Sequence, residues 1–245
     1  MPEAKPPEAA AEPGFVHNLA GVYFSPGEAF VAITRRPRFW LPFVAYLALL
    51  AAFTAIWLHQ MEPAQFLRNE LEQSGKWERL PPESRDTVMA TQAKLFPLIA
   101  WAGTLLGGPL SIVLIALVLL FIFRVLYSGE VTFAQSMAVV SYTFLATHLL
   151  TTPLILLVMG LKGDWNLNPQ EALQANATLF LDRAAVARPL YALVGSLDLV
   201  SFWQIGLLAV GFAVASRREV KKAMWGVAVP WALLVLGKVV LAALF

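Results

Sequence analysis

Five long apolar stretches, Trp40 to Leu58, Pro97 to Phe123, Phe133 to Met159, Leu193 to Ala215 and Ala223 to Leu244, constrain this chain more than any other feature. A hydrocarbon core about 30 Å thick needs roughly 20 apolar residues at 1.5 Å each, and only a helix satisfies its own backbone there. Each stretch is long enough to cross. The chain therefore reads as all-α and polytopic: a five-transmembrane-helix bundle with an N-terminal interfacial helix and helical outer loops. Of its residues, 58% are hydrophobic and 14% charged, against a charged share of about 25% in soluble domains.

Three regions follow. Residues 1–14 are rich in Pro, Ala and Glu and bury too little apolar surface to offset ordering entropy, which predicts a disordered tail. Residues 15–38 form an interfacial segment on the cytoplasmic side, and residues 39–245 form the five-helix transmembrane domain. Within the interfacial segment, Ser25-Pro26-Gly27-Glu28 is a helix-start signature, with Ser as N-cap, Pro at the first helical position and Glu reaching back to the cap amide. Phe30 and Ile33 give this helix an apolar side, and Arg35, Arg36 and Arg38 crowd its end. That pattern suits a helix on the bilayer surface with its guanidinium groups toward anionic head groups. The first 38 residues contain no cleavable signal pattern, so the helix from Trp40 is expected to serve as the targeting signal.

Polar loops separate the first from the second span and the third from the fourth. Pro63 and Pro81-Pro82 punctuate two helical stretches in the first loop. Asn168-Pro169-Gln170-Glu171 opens a helix in the second, which Leu173, Ala177, Phe180 and Leu181 continue at helical spacing. Asn176-Ala177-Thr178 is a formal glycosylation triplet. Arg35, Arg36, Arg38, Arg124, Arg217, Arg218, Lys221 and Lys222 all fall on one side of a five-span layout. The loops 59–94 and 160–189 opposite carry eight Lys and Arg against nine Asp and Glu. The positive-inside rule then places the N-terminus in the cytoplasm and Phe245 outside.

At this point certain residues resemble a known family. Tyr23-Phe24-Ser25-Pro26 with Phe30 and Ile33 resembles the start of bacterial Yip1-domain proteins. Ser128-Gly129-Glu130-Val131-Thr132-Phe133-Ala134-Gln135-Ser136 leading to Ser141-Tyr142 looks like that family's link into the third span. Leu197-Asp198-Leu199-Val200-Ser201-Phe202-Trp203-Gln204, leading to Gly211 and Lys222-Ala223, looks like its fourth span and the turn beyond. The resemblance implies a five-span protein with a cytoplasmic N-terminus, placed here in the bacterial inner membrane. Eukaryotic members act in vesicle trafficking and bind small GTPases and one another. This chain shows Gly21-Val22-Tyr23-Phe24-Ser25-Pro26 where that branch has Asp-Leu-Tyr-Gly-Pro, so GTPase binding does not carry over.

Chemistry is sparse. Cysteine is absent, which excludes disulfides and thiolate sites. His17, His59 and His148 lack metal-ligand spacing, so no metal and no cofactor is expected. Bases in short clusters and a net charge of +2 give no nucleic-acid partner. One depth count stands out: Asp198, Lys238 and His148 fall in one layer toward the outer end of the fourth, fifth and third spans, beside Gly107-Gly108-Pro109. As a cluster they would line an outward-facing polar pocket, with Asp198 and Lys238 in contact. The alternative is structural: Lys238 snorkels outward and Asp198 caps its helix. Gly103 and Gly107 suit close helix packing. Trp40, Trp57, Trp101, Trp225 and Trp231 read as interfacial anchors. Two functions remain. The first is a non-enzymatic scaffold or assembly and trafficking partner, meeting anionic lipid and a membrane-protein partner or a second copy. The other is a small transporter or channel built on the polar layer.

Overall fold

The computed structural model describes residues 14–173, 177–181 and 186–244. The tail at residues 1–13 and the glycosylation triplet's Asn176 lie outside them. Among the described residues every regular element is helical, and five helices are long and apolar enough to span a membrane.

The chain opens with a helical hairpin where the sequence predicts one helix. Helix α1 (Phe15–Phe24) meets α2 (Pro26–Arg35) at Ser25, whose backbone is driven out of the helical region by the proline that follows it. Ser25 occupies the N-cap position, yet its hydroxyl caps nothing. Its backbone does the joining instead, with its amide donating to Gly21 O at 2.8 Å and its carbonyl accepting from Ala29 N at 3.0 Å. Gly21 lets the arms close up, since a Cβ there would stand 2.9 Å from the Ala29 Cβ. Val22, Phe30 and Ile33 are buried in the protein core, so the hairpin gives its apolar side to the bundle rather than to lipid.

Helix α3 (Trp40–Gln60) is the first span, and α4 (Pro63–Gln73) follows at its C-terminal end. The second span is the apolar part of a continuous helical rod of 45 residues, Pro82–Leu126. It comprises α5 (Pro82–Ala102), a π turn (Gly103–Gly107), α6 (Gly108–Phe121) and a second π turn (Ile122–Leu126). Pro97, expected to begin this span, lies within α5. The third span, α7 (Phe133–Lys162), starts at a capping box: Thr132 Oγ1 accepts from Gln135 N at 3.2 Å and Gln135 Oε1 accepts from Thr132 N at 2.9 Å. It stops at Gly163, whose φ of 64° suits glycine.

The second long loop departs from expectation. Asn168 caps α8 (Pro169–Ala172) through Gln170 N, but that helix ends after four residues; a 3-10 turn at Ala177–Phe180 follows, so the continuation through Leu173 does not form. Helix α9 (Arg188–Ser196) is separate from the fourth span, α10 (Leu199–Ser216). The break at Leu197-Asp198 puts Leu193 outside the span. Helix α11 (Val220–Leu244) is the fifth.

Helix α7 is central, packed by α3, α6 and α10 and covered at one end by the hairpin. The core gathers Phe30, Ile112, Phe123, Val139 and Phe212, with the Phe123 and Phe212 rings stacked 4.7 Å apart. Helices α7 and α10 cross at Gly211. A Cβ there would land on the Val139 side chain and lie 3.2 Å from the Phe30 ring. A second cluster, at the C-terminal ends of α3 and α7, packs Trp57, Met61 and Phe66 on Met159. Trp57 is thus a core residue that donates to Trp165 O at 3.0 Å, not an interfacial anchor. Gly103 and Gly107, expected to serve close packing, have open space where a Cβ would project, and it is Gly108 that meets Leu47 and Leu50 of α3.

Overpacking the α7–α10 crossing forces side chains and backbone apart. Gly211→Ala should destabilise the protein by about 1–3 kcal/mol, whereas Gly103→Ala should not destabilise it. Thermal unfolding of the two variants in one detergent measures the contrast, and equal midpoints would refute the crossing as the tight point.

Candidate functional site at the basic end

Hydrogen bonds between distant segments define two ends. At one, Gln135 Nε2 donates to Thr34 O at 3.1 Å, and Arg218 Nη2 donates to Tyr127 O at 2.5 Å. These bonds bring the hairpin's end, the link between the second and third spans, and the Arg217 to Lys222 turn together. Arg35, Arg36, Arg38, Arg124, Arg217, Arg218, Lys221 and Lys222 belong to these segments. At the other end the two long loops close over each other. Glu62 N donates to Asn166 Oδ1 at 2.8 Å, and Arg188 Nη2 donates to Ser74 O at 2.7 Å.

The turn of the hairpin is held about 20 Å along α7 from the basic end, 13 residues beyond Phe133. The Tyr23 hydroxyl donates to Ala146 O of α7 at 2.6 Å, and its ring stacks on Trp203 of α10 at 5.9 Å. Burial raises the Tyr23 pKa above its ordinary value, so the phenol stays a protonated donor at neutral pH. Phe24 beside it is 87% exposed. Val16, Ala20 and Phe24 are all exposed at four-residue spacing, which makes an apolar stripe on α1 directed away from the bundle.

Between the hairpin, the start of α3 and Tyr142 of α7 lies a cleft of about 430 Å³. Arg35, Arg36 and Arg38 line it, with Phe15 and Leu41 as apolar walls. Asn18 and Tyr142 also line it. A second cleft on this end is lined by Gly129, Glu130, Gln135, Arg217 and Arg218. Two residues near it, Ser128 and Arg217, hold left-handed backbone, with φ of 52° and 53°. Gly129 is required there, because a Cβ would stand 2.7 Å from Phe123 O.

The three ionisable residues expected in one layer each make local contacts. Asp198 sits at the N-cap of α10 rather than inside a span, and its carboxylate accepts from Ser201 N at 2.8 Å and Ser201 Oγ at 2.5 Å. Lys238 is exposed on α11, six residues from Leu244, or about 9 Å along the axis. No hydrogen bond or ion pair joins the two. His148 is half-buried, with Nδ1 2.9 Å from Phe144 O and its ring edge-on to Tyr46 at 5.0 Å. What the interior does contain is hydroxyl and amide: Ser141 Oγ, Thr143 Oγ1 and Gln204 Nε2 are buried without a hydrogen-bond partner. Single polar residues in apolar runs are the only sequence signal for them.

Among the described residues no group of three His, Cys, Asp or Glu could hold a metal. The family model for the Yip1 domain matches residues 20–241, nearly the whole chain. The chain belongs to the Yip1 domain family. No curated protein and no solved structure matches it. Within this Yip1-domain protein, the segments that carried the resemblance fall at packing points. Tyr23 ties the hairpin to α7, Gly129 turns beneath Phe123, and Gly211 is the α7–α10 crossing.

Arg217 ends α10 in the left-handed region that glycine prefers, with an exposed side chain. Arg217→Gly should therefore stabilise the fold by about 1 kcal/mol. Tyr23→Phe should destabilise it by a similar amount, about 1 kcal/mol. Chemical or thermal unfolding in detergent checks both signs.

Proposed function

We propose that this Yip1-domain protein is a non-enzymatic membrane scaffold, an assembly or trafficking partner acting through its N-terminal hairpin. Residues 15–38 are its interaction segment, and residues 39–245 are the membrane-embedded body that holds it. The observation carrying this reading is the clamped hairpin, which buries Phe30 and Ile33 in the bundle while leaving Val16 and Phe24 outside, 74% and 87% exposed. A surface fixed by the core and offered outward is preorganised, so a partner meets it at reduced entropic cost. The transporter alternative has less behind it, because no direct bond joins Asp198 to Lys238 and the Asp198 carboxylate is taken up by Ser201.

The basic end is cytoplasmic in this reading and Phe245 lies outside, in a bacterial inner membrane as the resemblance of the motifs implies. The Arg217 to Lys222 turn and the hairpin arginines then face anionic head groups. A membrane-protein partner or a second copy takes the exposed stripe on α1.

A photo-crosslinking residue at Phe24 should capture a defined set of membrane proteins or a dimer in intact cells. One at Leu161, exposed at the opposite end, should not capture that set. Reporter fusions should place the N-terminus inside and the C-terminus outside. Solute flux through liposomes containing the pure protein, with no Phe24 crosslinks, would favour transport and overturn the scaffold.

A further inference from the structure

We propose that the N-terminal hairpin is a re-entrant element that dips into the hydrocarbon of the membrane, and that the stripe of Val16, Ala20 and Phe24 on α1 is packed by lipid acyl chains. The placement goes beyond the scaffold reading and does not rest on it.

Three sets of contacts fix the depth. Gln135 Nε2 of α7 donates to Thr34 O, Phe30 and Val139 meet around Gly211, and the Tyr23 hydroxyl donates to Ala146 O. Thr34 back to Phe30 is a step of four residues, and so is Gln135 to Val139, so α2 runs antiparallel to α7 in nearly one-to-one register. That register brings Ser25 level with Phe144, 11 residues and about 16 Å beyond the start of α7. Helix α10 gives an independent measure. Its 18 residues extend about 27 Å, so nearly all of it is needed to cross a core of about 30 Å. The Tyr23 ring stacks on Trp203, which is 13 residues and about 20 Å from the Ser216 end. Along α2 itself, Arg35 stands ten residues and about 15 Å from Ser25, which leaves the arginines at head-group level while the turn lies inside.

Such a turn has no water for its backbone groups. The Ser25 amide donates to Gly21 O at 2.8 Å, its carbonyl accepts from Ala29 N at 3.0 Å, and Pro26 has no N–H to satisfy. Val22, Phe30 and Ile33 are spent on the bundle, so the outward stripe is the face left for lipid, with Val16 74% and Phe24 87% exposed. Glu28 is the only acid between Gly14 and Arg38. It lines a groove of about 440 Å³ with His17, Asn18 and Ser25, the polar company that carboxyl groups within membranes keep. At this depth a soluble protein does not reach the stripe, and a partner that takes it is itself embedded in the membrane.

The chain has no cysteine, so single-cysteine variants of the full-length protein carry one nitroxide each. Phe24→Cys, Val16→Cys, Leu110→Cys and Lys222→Cys are labelled and reconstituted in phosphatidylcholine vesicles containing phosphatidylglycerol at a high lipid-to-protein ratio. Collisions with oxygen, which concentrates in hydrocarbon, are compared with collisions with a nickel chelate, which stays in water. Leu110 is 57% exposed on α6, six residues from Ala116, whose carbonyl accepts from Ser136, so it marks lipid close to the depth of the turn. Lys222 marks the basic turn. The oxygen-to-nickel ratio at Phe24 should equal that at Leu110 and exceed that at Lys222. Val16 should fall between, being eight residues and about 12 Å nearer the basic end. Nickel access at Phe24 equal to that at Lys222 would put the hairpin in water or among head groups. Shielding from both reagents would mean that the chain's own tail or a second copy covers the stripe. Either result overturns the proposal. Ala20→Cys, on the same stripe, gives the same reading if Phe24→Cys does not fold. Crosslinking from Phe24 in cells separates this placement from the scaffold: lipid contact in vesicles with no protein captured keeps the placement and removes the scaffold, whereas nickel access with a captured partner does the reverse.

Discussion

Everything at the basic end depends on how closely α7 and α10 approach each other. Gly211 leaves no room for a Cβ against Val139, and the Phe30 ring fills the space beside it. Three elements distant in sequence therefore share one contact. Lipid tails are as apolar as leucine, so helices in a bilayer gain nothing from hydrophobic exclusion and associate by close packing and polar links instead. The links are present: Ser136 Oγ donates to Ala116 O at 2.6 Å, and Thr54 and Thr104 share a hydrogen bond of 2.7 Å. With α7 and α10 held together, the hairpin has a seat. Without that seat Val22, Phe30 and Ile33 would be exposed apolar surface.

The large features were legible because they obey strong rules. Five spans follow from the length of apolar runs, and α7 begins at Phe133 as the sequence predicts. The Asn168 cap and the helix break at Pro26 follow from local backbone chemistry. Other features were illegible for equally physical reasons. Hydropathy averages over a window, so it merged α9 with α10 across a two-residue break and misplaced Asp198. Thr132 and Gln135 form a capping box that has no proline to mark it, although Thr-x-x-Gln is as plain a signal as Ser-Pro or Asn-Pro.

Glycine shows the boundary between the two cases. From sequence, Gly103 and Gly107 carry the spacing of a packing motif, while Gly211 is one glycine among many apolar residues. In the fold the roles are exchanged, because a glycine matters where a neighbour crosses it, and which neighbour crosses is a tertiary fact. The same holds for aromatic residues. Trp40 and Trp57 both sit near span ends, yet Trp40 is exposed while Trp57 is covered by the two long loops.

The rod from Pro82 to Leu126 has a geometric consequence. At 1.5 Å per residue its 45 residues extend about 67 Å, over twice the hydrocarbon thickness. Each π turn inserts roughly one residue and advances the helical phase by about 100°. The turn at Gly103–Gly107 thus acts as a register shift between α5 and α6. Side chains on α5 and α6 that a straight helix would align are turned apart, so one unbroken rod can offer one face to α4 and a different face to α3 and α7.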